Sequence, residues 1–127
     1  MKLNPDCIRD ILIYVEENTD LMNSVYLSNE EAESIFPKYS SDEVLYHIKQ
    51  CELSGFFQGV SQDMSGGFDI CYLSPAGHQF LSDIRSDNLW NNVKEVSKKV
   101  GSNSLSSLTQ IATGVVTALI KSQLGIT

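Results

Sequence analysis

Residues 40–57, which read SSDEVLYHIKQCELSGFF, decide the fold of this chain. Ser40 is a favoured helix N-cap, and Glu43 stands three residues later, so the pair predicts a reciprocal capping box. Gly55 is the residue type that most often ends a helix in the left-handed conformation. The apolar residues between them recur at helical spacing: Val44, Ile48 and Cys51. The stretch therefore predicts one short, well-delimited helix with a buried face, followed by two phenylalanines that need a core.

The segments before this helix carry similar start and stop signals. Asn4 and Pro5 predict the N-cap and first residue of a helix that fades near Asn18. Residues 25–27, VYL, are β-prone and predict a short edge strand. Ser28 and Glu31 then predict a second capping box, and Pro37 ends that helix. Two short helices joined by a tight turn predict a helix-turn-helix unit.

The segment after the helix has the pattern of a β-hairpin. Residues 58–60 and 68–73 predict two strands, and residues 61–67, SQDMSGG, predict a polar, flexible turn between them. A helix-turn-helix followed by a hairpin predicts a winged helix-turn-helix. The predicted class is α+β, mainly helical with a small β-hairpin, with further helices at the C-terminal end.

The C-terminal part predicts three more helices. Ser74 and Pro75 begin one, a second ends at Gly101, and a third covers residues 104–123. The last helix carries an apolar stripe: Leu105, Leu108, Ala112, Val115 and Leu119. We expect a winged-helix domain at residues 1–87 and a helical extension at 88–127, where the last helix mediates packing or a homodimer.

Composition limits the function classes. The 127 residues are enough for one domain with its own core, without disulfides or metal. The net charge of −7 and the isoelectric point near 4.6 disfavour non-specific binding to nucleic acid or to anionic membranes. Three widely spaced cysteines and an N-terminus without an apolar signal region favour a reduced, cytoplasmic protein.

Three segments resemble a known family: LNPDCIRDIL (3–12), DEVLYHIKQCELSGFF (42–57) and LSPAGHQFLSDIRSDNLW (73–90). The family consists of small proteins of bacteriophages, prophages and bacteria and is catalogued as a domain of unknown function. The resemblance extends to about Gly101, and GHQFLSDIR (77–85) is its most specific block. It implies a winged-helix-like scaffold and a mobile-element origin, and it transfers no catalytic residue.

The outer face of the 40–57 helix and the hairpin form the predicted contact surface. Its residues are Tyr46, Lys49, Gln50, Leu53, Gln62 and Met64. Tyrosine and methionine are common at protein interfaces, and an acidic body suits a basic protein partner, of host or phage origin. We therefore expect a non-enzymatic interaction or regulatory protein.

A sequence-specific DNA-binding regulator is the alternative. In a winged helix, the third helix enters the major groove and the wing contacts phosphate. Residues 50–84 contain no Lys or Arg, so the predicted wing has no cation for phosphate. This alternative requires phosphate contacts from elsewhere, and the candidates are Lys94, Lys98 and Lys99.

Weaker patterns are also present. His47 and Cys51 have the i, i+4 spacing of metal ligands, with Cys71 and His78 as the other candidates, but a half-buried histidine and core cysteines are the commoner explanation. Cys71 and His78 can also be drawn as a nucleophile and base, without a third group. Hydroxyl and amide side chains make residues 104–123 a poor membrane span. We expect no cofactor, no metal and no catalytic residue.

Overall fold

The computed structural model describes residues 1–101 and 104–125. These residues form six helices and three strands. In chain order they are α1 (Pro5–Asn18), β1 (Val25–Leu27), α2 (Asn29–Ile35), α3 (Ser41–Leu53), β2 (Phe57–Gln62), β3 (Phe68–Leu73), α4 (Pro75–Ile84), α5 (Asp87–Val100) and α6 (Leu105–Gln123). The predominance of helix with one small antiparallel sheet confirms the predicted α+β class.

The chain divides into two compact units, an N-terminal unit (Met1–His78) and a C-terminal unit (Gln79–Thr127). The division falls within α4, whereas the sequence predicts a boundary between residues 87 and 88, which stays a prediction. The two units carry opposite charge. The N-terminal unit has four Lys or Arg against thirteen Asp or Glu, net −9, and the C-terminal unit has five against three, net +2.

The core of the N-terminal unit lies among α1, α3 and the sheet. The apolar stripe of α1 is buried along its whole length: Cys7, Ile8, Ile11, Leu12 and Val15. The helix begins as predicted, because the Asn4 side chain accepts from the backbone N–H of Asp6. α3 packs against both α1 and α2.

The sheet has the strand order β1-β3-β2, and both pairings are antiparallel. β1 is therefore an edge strand, as predicted, and it pairs Val25 with Ile70 of β3. β2 pairs Phe57 with Leu73 and is longer than the predicted strand of residues 58–60. Gly59 has φ +71° and faces Cys71, and a Cβ there would lie 2.7 Å from the Cys71 sulfur. The glycine leaves space for the thiol.

The end of α3 is a complete Schellman motif. The N–H of Gly55 donates to the Glu52 carbonyl and the N–H of Phe56 donates to the Cys51 carbonyl, with Gly55 at φ +78°. The start is simpler than predicted. Ser40 accepts from the Glu43 N–H, but the Glu43 carboxylate accepts from the Asn4 side chain at 3.3 Å. The predicted reciprocal capping box thus forms in one direction, whereas the box of α2 is complete.

The segment after the sheet is tied to the end of α3. Ser74 caps α4 as predicted, because its Oγ accepts from the Gly77 N–H at 3.1 Å. The Ser74 backbone N–H donates to the Phe56 carbonyl at 2.9 Å. A Cβ on Gly77 would lie 2.2 Å from that same carbonyl oxygen, so only glycine fits this approach.

The C-terminal unit contains the helical pair α5 and α6, which pack against each other. Ser86 caps α5, and Gly101 ends it at φ +77°. Ser104, the first residue of the predicted segment 104–123, caps α6. The α6 stripe is buried only at its start, at Leu105, Leu108 and Ala112. Among the described helices, none is both long enough and apolar enough to cross a bilayer.

Candidate functional site

The predicted contact surface begins with the outer face of α3. Burial of Val44, His47, Ile48 and Cys51 turns the opposite face outward. Tyr46 is 38% exposed and Leu53 is 69% exposed. Single exposed apolar residues are common on helix surfaces. These residues indicate a binding site only through their position beside other parts of the surface.

His47 holds this helix in place. It is fully buried, and the sequence indicates only a half-buried side chain. Its Nε2 accepts from the backbone N–H of Asn4 at 2.7 Å, and its Nδ1 donates to the Glu43 carbonyl at 2.7 Å. This arrangement requires the neutral tautomer with the proton on Nδ1. His47 therefore ties the start of α1 to α3.

These contacts also give a structural explanation for His47 and Cys51, which have the i, i+4 spacing of metal ligands on α3. The nitrogen of His47 that lacks a proton already accepts a hydrogen bond, so it has no lone pair for a metal ion. Burial raises the pKa of the Cys51 thiol, which keeps it protonated. Among the described residues, no group of three or more His, Cys, Asp or Glu could hold a metal ion.

One carboxylate accepts most of the side-chain hydrogen bonds within the hairpin turn. Asp63 Oδ1 accepts from the backbone N–H of Ser65 at 3.1 Å, from its hydroxyl at 2.7 Å and from the Gly67 N–H at 2.9 Å. The Tyr26 hydroxyl of β1 donates to Oδ2. These donors, with Tyr26 first, lower the pKa of Asp63 to about 2. The tip of the hairpin therefore carries a fixed negative charge at neutral pH.

A groove runs between the outer face of α3 and the hairpin, and we call it the α3–hairpin groove. Its lining residues are Asn29, Asp42, Leu45, Tyr46, Lys49, Gln62, Ser65, Gly66 and Phe68. The structure thus brings together Tyr46, Lys49 and Gln62 from the predicted surface. In the described structure, Gln50, Leu53 and Met64 do not line this groove. Met64 is fully exposed.

The groove lining together with the carboxylates beside it, Glu52 and Asp63, is net negative. Lys49 is the only cation among the residues that line the groove, and its Nζ lies 2.8 Å from the Glu52 carboxylate. The ion pair leaves Asp42 and the turn carboxylate Asp63 without a compensating cation from the hairpin, because residues 50–84 contain no Lys or Arg. Elsewhere in the N-terminal unit, Lys38 pairs with Asp10 at 3.3 Å. A ligand for this surface has to tolerate or prefer negative charge.

The three lysines predicted for phosphate all lie on α5, in the C-terminal unit. The Lys94 ammonium lies 5.6 Å from the centroid of the Trp90 ring, within cation–π range. Lys98 and Lys99 are exposed in the last helical turn, where the helix dipole favours cations. Each lysine therefore has a local structural explanation.

Cys71 and His78 line different pockets. Cys71 lies beside the 20–24 segment, and His78 lines a pocket with Glu16 and Tyr72. The His78 Nδ1 lies 4.0 Å from the Glu16 carboxylate. Among the described residues, no hydrogen bond joins the Cys71 thiol to the His78 imidazole.

The sequence interpretation missed a second surface, on the turn between α1 and β1. Asp20 Oδ1 accepts from the backbone N–H groups of Met22 and Asn23, both at 2.9 Å. The two central residues of this turn, Leu21 and Met22, are 82% and 86% exposed. Turns usually carry polar residues or glycine at such positions. The combination of Asp, two large apolar residues and Asn is the signal that could have identified it.

Comparison with known proteins agrees with the resemblance of the three segments. An "Uncharacterized protein" of Haemophilus influenzae (strain ATCC 51907 / DSM 11121 / KW20 / Rd) is 26% identical over 123 residues, which cover 94% of this chain and 99% of the relative. No solved structure matches the chain. The family model described as "Hypothetical protein (DUF2513)" matches residues 2–103. The mobile-element origin stays a prediction. The chain belongs to the DUF2513 family, a domain family of unknown function.

Proposed function

We propose that the N-terminal unit is a winged helix-turn-helix whose α3–hairpin groove binds a protein partner, in a regulatory or interaction role without catalysis. The element order α1-β1-α2-α3-β2-β3 and the strand order β1-β3-β2 support the scaffold, since they place two packed helices before a hairpin. In such a scaffold α3 and the hairpin form the recognition surface.

The acidity of this surface is the observation that carries the proposal. Lys49 is neutralised by Glu52, and Asp63 is held ionised at the hairpin tip. The unit as a whole has a net charge of −9. Phosphate would be repelled, whereas a Lys- or Arg-rich protein surface would be attracted and steered toward the groove. Tyr46 supplies the aromatic contact that protein interfaces favour.

A pull-down from bacterial lysate tests the groove. The bait is the wild-type protein, with Tyr46→Ala as the groove variant and Glu17→Ala, an exposed position on α1, as the matched control. We expect a protein that wild type and Glu17→Ala retain and that Tyr46→Ala loses, with elution by moderate salt because the attraction is electrostatic. Leu53→Asp tests whether the interface extends beyond the groove, since Leu53 does not line it. Equal recovery by all four baits would reject the groove as the interface.

DNA binding is the second candidate, because the packed pair α2 and α3 followed by a hairpin favours it. A filter-binding series with mixed genomic fragments across salt separates it from protein binding. Retention at low salt that falls steeply as salt rises would support a DNA reader. We expect no retention at any salt concentration, given the charge of the surface.

We also propose self-association through α6 and a cytoplasmic location. The last described residues of α6 include exposed Leu119 and Ile120, which a second copy would cover. The three cysteines are free thiols, as a reducing compartment requires. Light scattering on the full chain and on a chain truncated before Ser104 tests the first point, and an unchanged mass per particle would remove α6 from that role.

A further inference from the structure

The turn at residues 20–23 holds two large apolar side chains in solvent. The Asp20 side chain accepts hydrogen bonds within this turn, and the backbone adds two more. The Asp20 N–H donates to the Asn23 carbonyl at 3.0 Å, and the Asn23 N–H donates to the Asp20 carbonyl at 3.4 Å. The hydrogen bonds to its side chain lower the pKa of Asp20, so it is ionised at neutral pH. A turn fixed by this many hydrogen bonds keeps Leu21 and Met22 exposed rather than letting them fold back.

Beside this turn lies a mostly apolar pocket of about 310 Å³, lined by Glu16, Thr19, Asp20, Leu21, Tyr72, Leu73 and His78. Its volume is at the lower limit of small-ligand sites, and it suits a few apolar side chains. Glu16 and Asp20 place two carboxylates among its lining residues. We call the pocket together with Leu21 and Met22 the Leu21 surface. It is apolar, with negative charge beside it.

The far end of α6 has the complementary character. α5 has 14 residues and α6 has 19, and only residues 101–104 separate them, so the two helices pack as antiparallel neighbours of unequal length. The five extra residues extend about 7.5 Å beyond α5 at 1.5 Å per residue. All residues from 117 to 125 are exposed, and we call this segment the α6 end. Its large apolar side chains are Leu119, Ile120 and Leu124, and its one charge is Lys121.

We propose that the α6 end of one copy docks on the Leu21 surface of a second copy. Leu119 and Ile120 enter the apolar pocket, and Lys121 lies against Glu16 and Asp20. The charges of the whole units agree with this pairing, because the unit that offers the pocket is net −9 and the unit that offers α6 is net +2. The inference rests on the proposed self-association and names the surface that receives α6.

Sedimentation equilibrium on the full chain tests the pairing by charge exchange. Lys121→Glu places a carboxylate opposite Glu16 and Asp20, and Glu16→Lys places a cation opposite Lys121. We expect each single variant to raise the dissociation constant at least about tenfold. The double variant Glu16→Lys/Lys121→Glu restores the opposite charges, so we expect it to return most of the lost association. This rescue separates a direct contact from a general effect of net charge.

An apolar variant and a control complete the experiment. Leu21→Asp should weaken association about a hundredfold, because it places a carboxylate in the apolar contact beside two others. Leu53→Asp makes the same change at another exposed leucine, outside this surface, and should leave the dissociation constant unchanged. Far-UV circular dichroism confirms that each variant is folded; Leu21 and Lys121 are both exposed, so folding should persist.

Two results would overturn the inference, and they differ in what else they reject. A monomeric wild type would reject self-association altogether. The wild type could instead associate with a dissociation constant that Leu21→Asp leaves unchanged, or the charge-exchanged double variant could associate as weakly as the single variants. Either result would retain self-association and reject the Leu21 surface. Neither result bears on the α3–hairpin groove, which the Tyr46→Ala pull-down tests separately.

Discussion

Both units contain a helix with an apolar stripe at helical spacing, but the stripe is buried to a different extent in each unit. In α3 the apolar stripe is buried from Val44 through Ile48 to Cys51. In α6 an equally regular stripe is buried as far as Ala112 and exposed from Leu119 onward. α3 has two helices and a strand packed against it, whereas α5 is too short to cover α6. Helical periodicity shows which face is apolar, but the lengths of neighbouring elements decide how much of it is buried.

The largest expected effect comes from matched isoleucine truncations in the two units. Ile48 on α3 is fully buried and Ile120 on α6 is 52% exposed. Ile48→Ala should lower the free energy of unfolding by about 3 kcal/mol, through lost burial and a residual cavity. Ile120→Ala should change it by about 0.5 kcal/mol or less, measured on dilute protein where association does not contribute. Urea denaturation followed by circular dichroism measures both, and similar losses would abolish the contrast.

A second, smaller contrast uses two glycines. Gly55 ends α3 at φ +78°, where a side chain is strained, so Gly55→Ala should cost about 1–2 kcal/mol. Gly114 lies inside α6, and a Cβ there would meet no described atom within 4 Å. Gly114→Ala should therefore stabilise the protein by about 0.5–1 kcal/mol through helix propensity. Thermal unfolding should show shifts of opposite sign, and shifts of the same sign would contradict the assignment of Gly55 as the helix stop.

Much of the fold follows from local signals. The helix starts at Asn4, Ser28 and Ser40 could be predicted from the sequence because each cap accepts a hydrogen bond from a backbone N–H within three residues. The α+β class follows from these starts and from the alternation in β3. Features that depend on residues far apart in the sequence could not be predicted from it. His47 is buried because it bonds Asn4, 43 residues away, and nothing near it in the sequence indicates that partner.

The candidate sites show the same division. Tyr46 and Lys49 could be assigned to an outer helix face from spacing alone, but only the packing of the hairpin joins them to Gln62 in one groove. The turn at residues 61–67 looks flexible in sequence, because polar and glycine residues are typical of mobile loops. The Tyr26 hydroxyl donates a hydrogen bond to Asp63 of this turn from 37 residues away. The Leu21 surface depends on β3, which supplies Tyr72 and Leu73 to a pocket begun by α1.

The smallest expected effect concerns two carboxylates whose pKa values move in opposite directions. Asp63 in the N-terminal unit has its pKa lowered to about 2, first by the Tyr26 hydroxyl and then by Ser65. Asp83 in the C-terminal unit has its pKa raised by burial, which the hydrogen bond from Gln79 partly offsets. A lowered pKa contributes stability above the unfolded value that is lost as pH falls toward 2. A raised pKa contributes stability below the unfolded value that is lost as pH rises.

Asparagine at each position should therefore give opposite pH profiles. Asp63→Asn should destabilise the protein at neutral pH, and its deficit relative to wild type should shrink as the pH falls from about 4 toward 2. Asp83→Asn removes the cost of burying a charge, so it should stabilise the protein at neutral pH, and the gain should disappear below about pH 3.8. Urea midpoints measured between pH 2 and 7 give both profiles. A stability difference for either variant that stays constant over this range would show that its carboxyl has the same pKa in the folded and unfolded chain.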